Sequence, residues 1–293
     1  MILKKFLVAT AIIATFFSCT APIDISTRDG KPVIVVYGCI TDENKHQSVR
    51  LTESSPYFDE KTNYPVLEAN VRVNTSDGKT YTFVGKENGD YLSTVRFAGS
   101  PGVTYSLVID VDFDSDGTNE VYEAQTTMLP TVPADSIGVK LLDLMGFRHF
   151  AVNIYMQEPA ETTNYYIYKY FINDTISNDT MSEFIISGDN PYNGSYLDGV
   201  TVTYLEDASD EDNIAMSGEW DNDHMVLPGD VIRLQILNIE EGYFNFIREC
   251  RQEKRGENPF FGGPPSNITT NISNGGVGYF TSYSLQEKSV VVP

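Results

Sequence analysis

From Val33 to Met128 the chain reads as short runs in which apolar and polar residues alternate, each closed by a turn cluster. In Gln47 to Thr52, Val49 and Leu51 alternate with Ser48 and Arg50. Val66 to Thr75 and Thr80 to Val84 flank Ser76-Asp77-Gly78-Lys79, and Tyr91 to Phe97 follows Asn88-Gly89-Asp90. Val103 to Phe113 follows Ser100-Pro101-Gly102, and Glu120 to Met128 follows Asp116-Gly117. A period of two puts one face of each run on a core and the other in water when the run is a strand, whereas on a helix that period would scatter apolar residues around the axis. Glycine or asparagine at the tips supplies the positive φ of tight hairpins. With Val33 to Thr41 ahead of them, these make about seven strands at the spacing of an immunoglobulin-like β-sandwich, expected over residues 33–130.

Leu129-Pro130-Thr131-Val132-Pro133 is a proline-bracketed joint, after which the strand pattern restarts. Asp135 to Leu142, Phe147 to Gln157, the aromatic run Tyr165 to Asn173, Glu183 to Ser187, Val200 to Leu205 and Val231 to Ile239 read as strands. A long polar loop covers Gly188 to Gly199. Between Glu240 and Lys254, Tyr243, Phe246, Ile247 and Cys250 recur at helical spacing, with acids at the start and Arg251 and Lys254 at the end to complement the dipole. Gly256 to Gly278 is rich in glycine, proline and asparagine, and Tyr279 to Val292 is a closing strand. The expectation is an all-β protein with one amphipathic helix, its second β-sandwich-like domain spanning 131–293 and its helix about 240–254.

The N-terminus reads differently. Lys4 and Lys5 precede an apolar stretch, Phe6 to Phe17, that is too short to span a bilayer, and Ser18-Cys19 closes it. That is a secretory signal peptide (1–18) of lipoprotein type, which places a diacylglycerol thioether on Cys19 and palmitate-like acyl chains on the mature chain; residues 19–32 are then a tether. Two or more acyl chains are enough for stable attachment to a membrane. The formal charge of −21, two units lower once Lys4 and Lys5 leave, repels nucleic-acid phosphates and anionic headgroups, so nucleic acid is not an expected partner and the lipid alone should hold the membrane. With 41% hydrophobic and 12% aromatic residues the chain can bury a large core despite that charge.

The segments Val33-Ile34-Val35-Val36-Tyr37-Gly38-Cys39-Ile40-Thr41-Asp42-Glu43 and Val49-Arg50-Leu51-Thr52-Glu53-Ser54-Ser55-Pro56-Tyr57 carry a resemblance, together with Tyr243-Phe244-Asn245-Phe246-Ile247-Arg248, Asn258-Pro259-Phe260, Pro265-Ser266-Asn267-Ile268 and Gly275-Gly276-Val277-Gly278-Tyr279-Phe280. Their order resembles the uncharacterised β-rich lipoproteins of Bacteroidota encoded near TonB-dependent outer-membrane transporters. The likeness covers nearly the whole mature chain, and its motifs are structural. It implies an outer-membrane location, at the cell surface rather than the periplasmic face, and partnership with a transporter barrel and its associated lipoproteins.

Few residues suggest chemistry. Asp112-x-Asp114-x-Asp116-Gly117-x5-Glu123 fits the calcium-loop pattern at every fixed position. Its flanks alternate as strands, so a solvated acidic hairpin tip is the leading reading and a weak structural calcium the alternative. His46, His149 and His224 stand in no zinc spacing, no nucleophile elbow occurs, and Cys39 and Cys250 read as small buried hydrophobes without chemistry. Trp220, Tyr192, Tyr196 and the pair Phe260 and Phe261 lie in or beside polar loops, where an aromatic can stack on a sugar or anchor a partner. The leading expectation is a non-enzymatic lipoprotein that assists TonB-dependent uptake of a glycan or peptide nutrient, without a cofactor. A structural or adhesive surface lipoprotein without a transporter is the second reading, and an envelope hydrolase the third.

Overall fold

The computed structural model describes residues 32–54, 64–210, 224–256 and 268–293. The first group of strands is β1 (Ile34–Thr41), β2 (Ser48–Glu53), β3 (Tyr64–Pro65), β4 (Asn70–Thr75), β5 (Thr80–Gly85), β6 (Asp90–Ser93), β7 (Thr104–Val111) and β8 (Glu120–Thr127). The second is β9 (Ala134–Leu144), β10 (Phe147–Gln157), β11 (Tyr165–Ile172), β12 (Thr175–Ile176), β13 (Ile185–Gly188), β14 (Tyr196–Asp207), β15 (Met225–Val226) and β16 (Val231–Ile239), followed by helix α1 (Glu241–Gly256) and β17 (Val277–Val291). The protein is mostly β, sandwich-like, with one helix among the described residues, as its alternation pattern predicts. No helix among them is long and apolar enough to cross a membrane.

In the first half the sheet runs β17-β1-β2-β6-β5-β4-β7-β8. Its inward residues, among them Ile34, Val36, Val49, Leu51, Val71, Leu107, Ile109 and Phe280, form one core. The sheet rolls so that its ends meet. Ser282 N donates to Thr126 Oγ1 at 3.0 Å, Asn271 Nδ2 to the Gln125 carbonyl at 3.2 Å, and Ser273 N to the Glu123 carbonyl at 2.8 Å. Polar side chains thus cover what would otherwise be an open edge. Two strands come out shorter than their hydrophobicity predicts. Before β4, Glu68 takes a φ of 65°, which breaks the run begun at Val66. After β6, the Ser93 hydroxyl accepts from Gln47 N and donates to the Val95 carbonyl, turning the chain before Phe97.

The second half has three layers. A sheet ordered β15-β14-β10-β9 faces the strands β12-β11-β16-β17, with β13 also paired to β11. Phe150, Val152, Ile154, Tyr166, Tyr168, Tyr170, Ile232, Leu234 and Ile236 fill the space between the sheets. On the other face of β11-β16-β17, α1 lays Tyr243, Phe246 and Ile247 over Ile167, Leu237, Ile239 and Tyr279. A sheet covered on both sides needs apolar residues at successive positions, and β16 supplies them in Ile236-Leu237. β14 begins inside the segment expected to be loop, and its pairing with β10 shifts register twice, which lets a long strand bend over the core.

β17 joins the halves. Val277 to Tyr283 pair in parallel with Val35 to Thr41, and Ser284 to Val291 pair antiparallel with Asn238 to Val231. The joint at residues 129–134 is tied to the same strands. Ser284 Oγ donates to the Leu129 carbonyl at 2.7 Å, Asn238 Nδ2 to the Pro130 carbonyl at 2.6 Å, and Gln286 bonds both the Val132 carbonyl and, at 2.9 Å, Ala134 N.

Gly278 has a φ of 104°, and a Cβ there would stand 2.0 Å from the Val36 carbonyl oxygen. That atom is backbone inside the parallel ladder and cannot yield. Gly278→Ala is therefore expected to cost about 3 kcal/mol or more, read as a lower urea midpoint. A change below about 0.5 kcal/mol, the range of an ordinary surface substitution, would contradict this ladder.

Glu240 sits where β8, β17 and α1 meet. Thr126 Oγ1 donates to its Oε1 at 3.2 Å, Tyr279 is a second partner, and burial pushes its carboxyl up to about 7. A carboxyl whose pKa is higher folded than unfolded binds its proton more tightly in the native state. Its contribution is complete below the ordinary value of 4.5 and is lost as pH rises through about 7. Unfolding free energy should therefore fall between pH 5 and 8 by an amount on the order of 3 kcal/mol from this group, and Glu240→Gln should remove that part of the slope. Parallel slopes in the two proteins would show that Glu240 is not the titrating group.

Candidate functional site

In the second half, β13 is an edge strand of one sheet, and the first part of β14 has only β10 beside it in the other. The two edges do not hydrogen-bond to each other, and between them lies a cavity of about 210 Å³. Ile154, Leu197, Val200 and Ile185 supply apolar wall, and Tyr166, Tyr168 and Tyr192 supply aromatic surface. Tyr192 is 39% exposed and stands at the rim, in the loop where its aromatic character suggests binding.

Two acids line this cavity and are nearly sealed from solvent: Glu158 is 2% exposed and Asp189 3%. The loops that carry them are locked together. Glu158 N donates to the Ser195 carbonyl at 3.0 Å, Asp189 N to the Asn164 carbonyl at 3.1 Å, and Tyr192 N to the Asp189 carbonyl at 2.6 Å. Asn164 touches both carboxylates, its backbone N–H donating to Asp189 Oδ2 at 2.7 Å and its Nδ2 to Glu158 Oε2 at 3.4 Å. Tyr166 donates its hydroxyl to the same Glu158 Oε2 at 3.0 Å. Burial raises the Glu158 carboxyl above the usual carboxylate range, the Tyr166 bond opposes that, and the negative charge of Asp189 adds to it. Asp189 Oδ1 is fully enclosed and has no hydrogen-bond partner. A buried carboxylate oxygen without a donor is rare and costly, and it marks this corner of the sandwich.

Glu158 and Asp189 escape the sequence reading because the chain has 41 acids and neither sits in a motif. One starts the loop after β10, and the other opens a polar loop beyond the next strands. The available signal is the polar loop's own aromatic, Tyr192. Tyr196 does not join the cavity; it donates its hydroxyl to Asp135 Oδ2 at 3.0 Å on the surface. Cys19, Trp220, Phe260 and Phe261 lie outside the described residues. His46 bonds the Ser93 carbonyl and His149 the Phe147 carbonyl, on separate elements, and His224 pairs with Tyr170. Cys39 and Cys250 are free thiols, and burial pushes Cys39 up to about 11, away from nucleophilic use.

At the tip between β7 and β8, Asp112, Asp114 and Asp116 bring carboxylate oxygens within 4.8 Å of one another. Glu123 is outside that group, on β8 opposite Val108. The three acids bond their own loop: Gly117 N donates to Asp112 Oδ2 at 3.0 Å, Asp116 N to Asp114 Oδ1 at 3.3 Å, and Thr118 N to Asp116 Oδ1 at 2.8 Å. Asp112 Oδ1 is enclosed and unpaired. Because the carboxylates already cap the turn and the fourth acid stands apart, calorimetry with millimolar calcium is expected to show no saturable heat, in the wild type or in Asp114→Ala. Saturable heat that disappears in the variant would mark a cation site instead.

No curated protein matches the chain. Among solved structures it is similar to a two-domain fibronectin type III segment from chicken tenascin, at 13% identity and a TM-score of 0.20, over 71% of this chain and 90% of that one. A likeness that distant carries no argument about activity, and the architecture rests on the strand ladders themselves. Residues 20–289 match the model of DUF4249, described as a domain of unknown function. The chain belongs to the DUF4249 family.

Proposed function

We propose that the protein is a lipid-anchored, non-enzymatic binding lipoprotein of the outer membrane that assists a TonB-dependent transporter in taking up a nutrient, a glycan or a peptide. The observation that carries this reading is the basic and apolar leader ending in Ser18-Cys19, which has the order and length of a lipoprotein signal. The acyl chains hold the tether at the membrane, and the β-sandwich stands in water beyond it. The cavity under Tyr192 supports a binding role: it is concave, has apolar and aromatic walls and presents a small number of convergent polar groups. The histidines are held by main-chain carbonyls or by a tyrosine on separate elements, and this supports binding over hydrolysis. The transporter partner and the Bacteroidota setting rest on the resemblance of the Val33–Tyr57 and Tyr243–Phe280 segments to lipoproteins of that kind.

The test is affinity purification of the tagged, lipidated protein from its native envelope. A transporter barrel should come down with it, and Cys19→Ala should move the protein from the membrane fraction to the soluble one. Recovery without any outer-membrane barrel would remove the uptake role. Unchanged membrane partitioning of Cys19→Ala would remove the anchor.

A further inference from the structure

We propose that the cavity beneath Tyr192 binds a primary ammonium group, the charged end of a small amine or of a lysine side chain in a peptide, between Glu158 and Asp189. The inference names a ligand class for the binding role proposed above and rests on that reading for its biological setting alone.

The cavity has unmet acceptors and, among the described residues, no cationic side chain. Asp189 is 3% exposed, yet its enclosed Oδ1 accepts nothing, while Oδ2 takes the Asn164 N–H. Glu158 receives both its donors, the Tyr166 hydroxyl and Asn164 Nδ2, on Oε2, and no donor among the described residues reaches Oε1. No lysine, arginine or histidine among the described residues lines the space. Two buried carboxyls without a positive partner are a strongly unfavourable arrangement unless something brings the charge.

The chemistry of the ligand follows from what remains unmatched. Of the five wall hydroxyls three are already committed, Tyr166 to Glu158, Thr201 to Asn153 Oδ1 at 2.8 Å and Ser187 to the Gly188 carbonyl at 3.3 Å, while those of Tyr168 and Tyr192 make no hydrogen bond among the described residues. A sugar hydroxyl wants both a donor and an acceptor, whereas an ammonium offers three donors and asks for none. The tyrosine faces suit a cation, and the apolar wall suits an alkyl stem. At about 210 Å³ the space exceeds a cavity of ~150 Å³ known to hold benzene, so one short aliphatic amine fits with water. Calcium is a poorer match, because it takes roughly six to eight oxygen ligands and the cavity supplies two carboxylates.

Calorimetric titration of the purified full chain in detergent tests this, with n-pentylamine, glycyl-lysyl-glycine, n-pentanol and calcium chloride as separate probes. Pentylamine, the tripeptide or both should bind saturably, and pentanol should not. Binding of pentylamine alone assigns the site to free amines, and binding of the tripeptide assigns it to peptides. Asp189→Asn keeps the shape and the acceptor for Asn164 but removes the charge, and should raise the dissociation constant about tenfold or more. Tyr192→Ala, at the exposed rim where folding is not at risk, should raise it about threefold. The proposal is overturned if neither amine binds, if pentanol binds as well as pentylamine, if calcium is the probe whose heat Asp189→Asn abolishes, or if both variants bind like the wild type. These titrations need no partner, so failed co-purification of a transporter would leave the amine site standing, and silent titrations would leave the transporter association standing.

Discussion

The two-sided hydrogen bonding of β17 is the constraint on which the rest depends. Its first seven residues extend the first sheet beside β1 and its next eight extend the second beside β16, so neither half has its full complement of strands without it. The change of partner falls between Tyr283 and Ser284, and the strand there carries small buried polar residues, Thr281, Ser282 and Ser284, in place of large apolar ones. Small hydroxyls allow close approach of other backbone and then bond it. Ser282 reaches Thr126 on β8, and Ser284 reaches the carbonyl of Leu129 at the start of the joint. A joint whose carbonyls are caught at Leu129, Pro130 and Val132 loses the freedom that its prolines and its place between two strand groups suggest.

This explains which parts of the architecture could be read from residue order. β10 and β16 appear with the expected bounds, and β1, β5, β8 and α1 within one or two residues, because each is set by a local pattern of burial that its own sequence displays. The partnership of Val35 with Val277 is invisible at that level, since the two stand near opposite ends of the chain and any strand of similar hydrophobicity would serve. Interruptions were equally hidden. The Glu68 φ of 65° and the side-chain bridges of Gln47, whose amide bonds the carbonyls of Thr41, Glu43 and Phe97, are tertiary facts that shorten β4 and β6. At the candidate site the visible part was Tyr192, an aromatic out of place in a polar loop. Glu158 and Asp189 became distinctive only when folding buried them.

The position of the cavity follows from the layer arrangement. α1 seals the outer face of β11-β16-β17, and the sheet of β9, β10 and β14 seals the inner one, while among the described residues the packing stays open on the side where β13 and early β14 form separate edges. Twisted sheets diverge at such edges, and side chains alone bridge the gap. Here the bridge is made at one end by the paired loops 158–164 and 189–195, which is why the acids come to rest where apolar packing runs out. Tyr166 and Tyr168 then present their rings to a space they do not fill.

Electrostatics give that space its direction. A chain of formal charge −21 sits in its own negative potential, which disfavours ionising one more carboxyl and draws cations toward any acidic recess. Burial holds the Glu158 proton more tightly than usual, and the nearby Asp189 charge adds to that hold. An ammonium placed between the two carboxyls opposes both effects, because its positive charge favours the ionised form of Glu158. The same burial that makes Glu158 a poor anion in isolation makes it a selective partner for a cation, since the low dielectric that penalises an unpaired charge also strengthens its attraction to a charge of opposite sign.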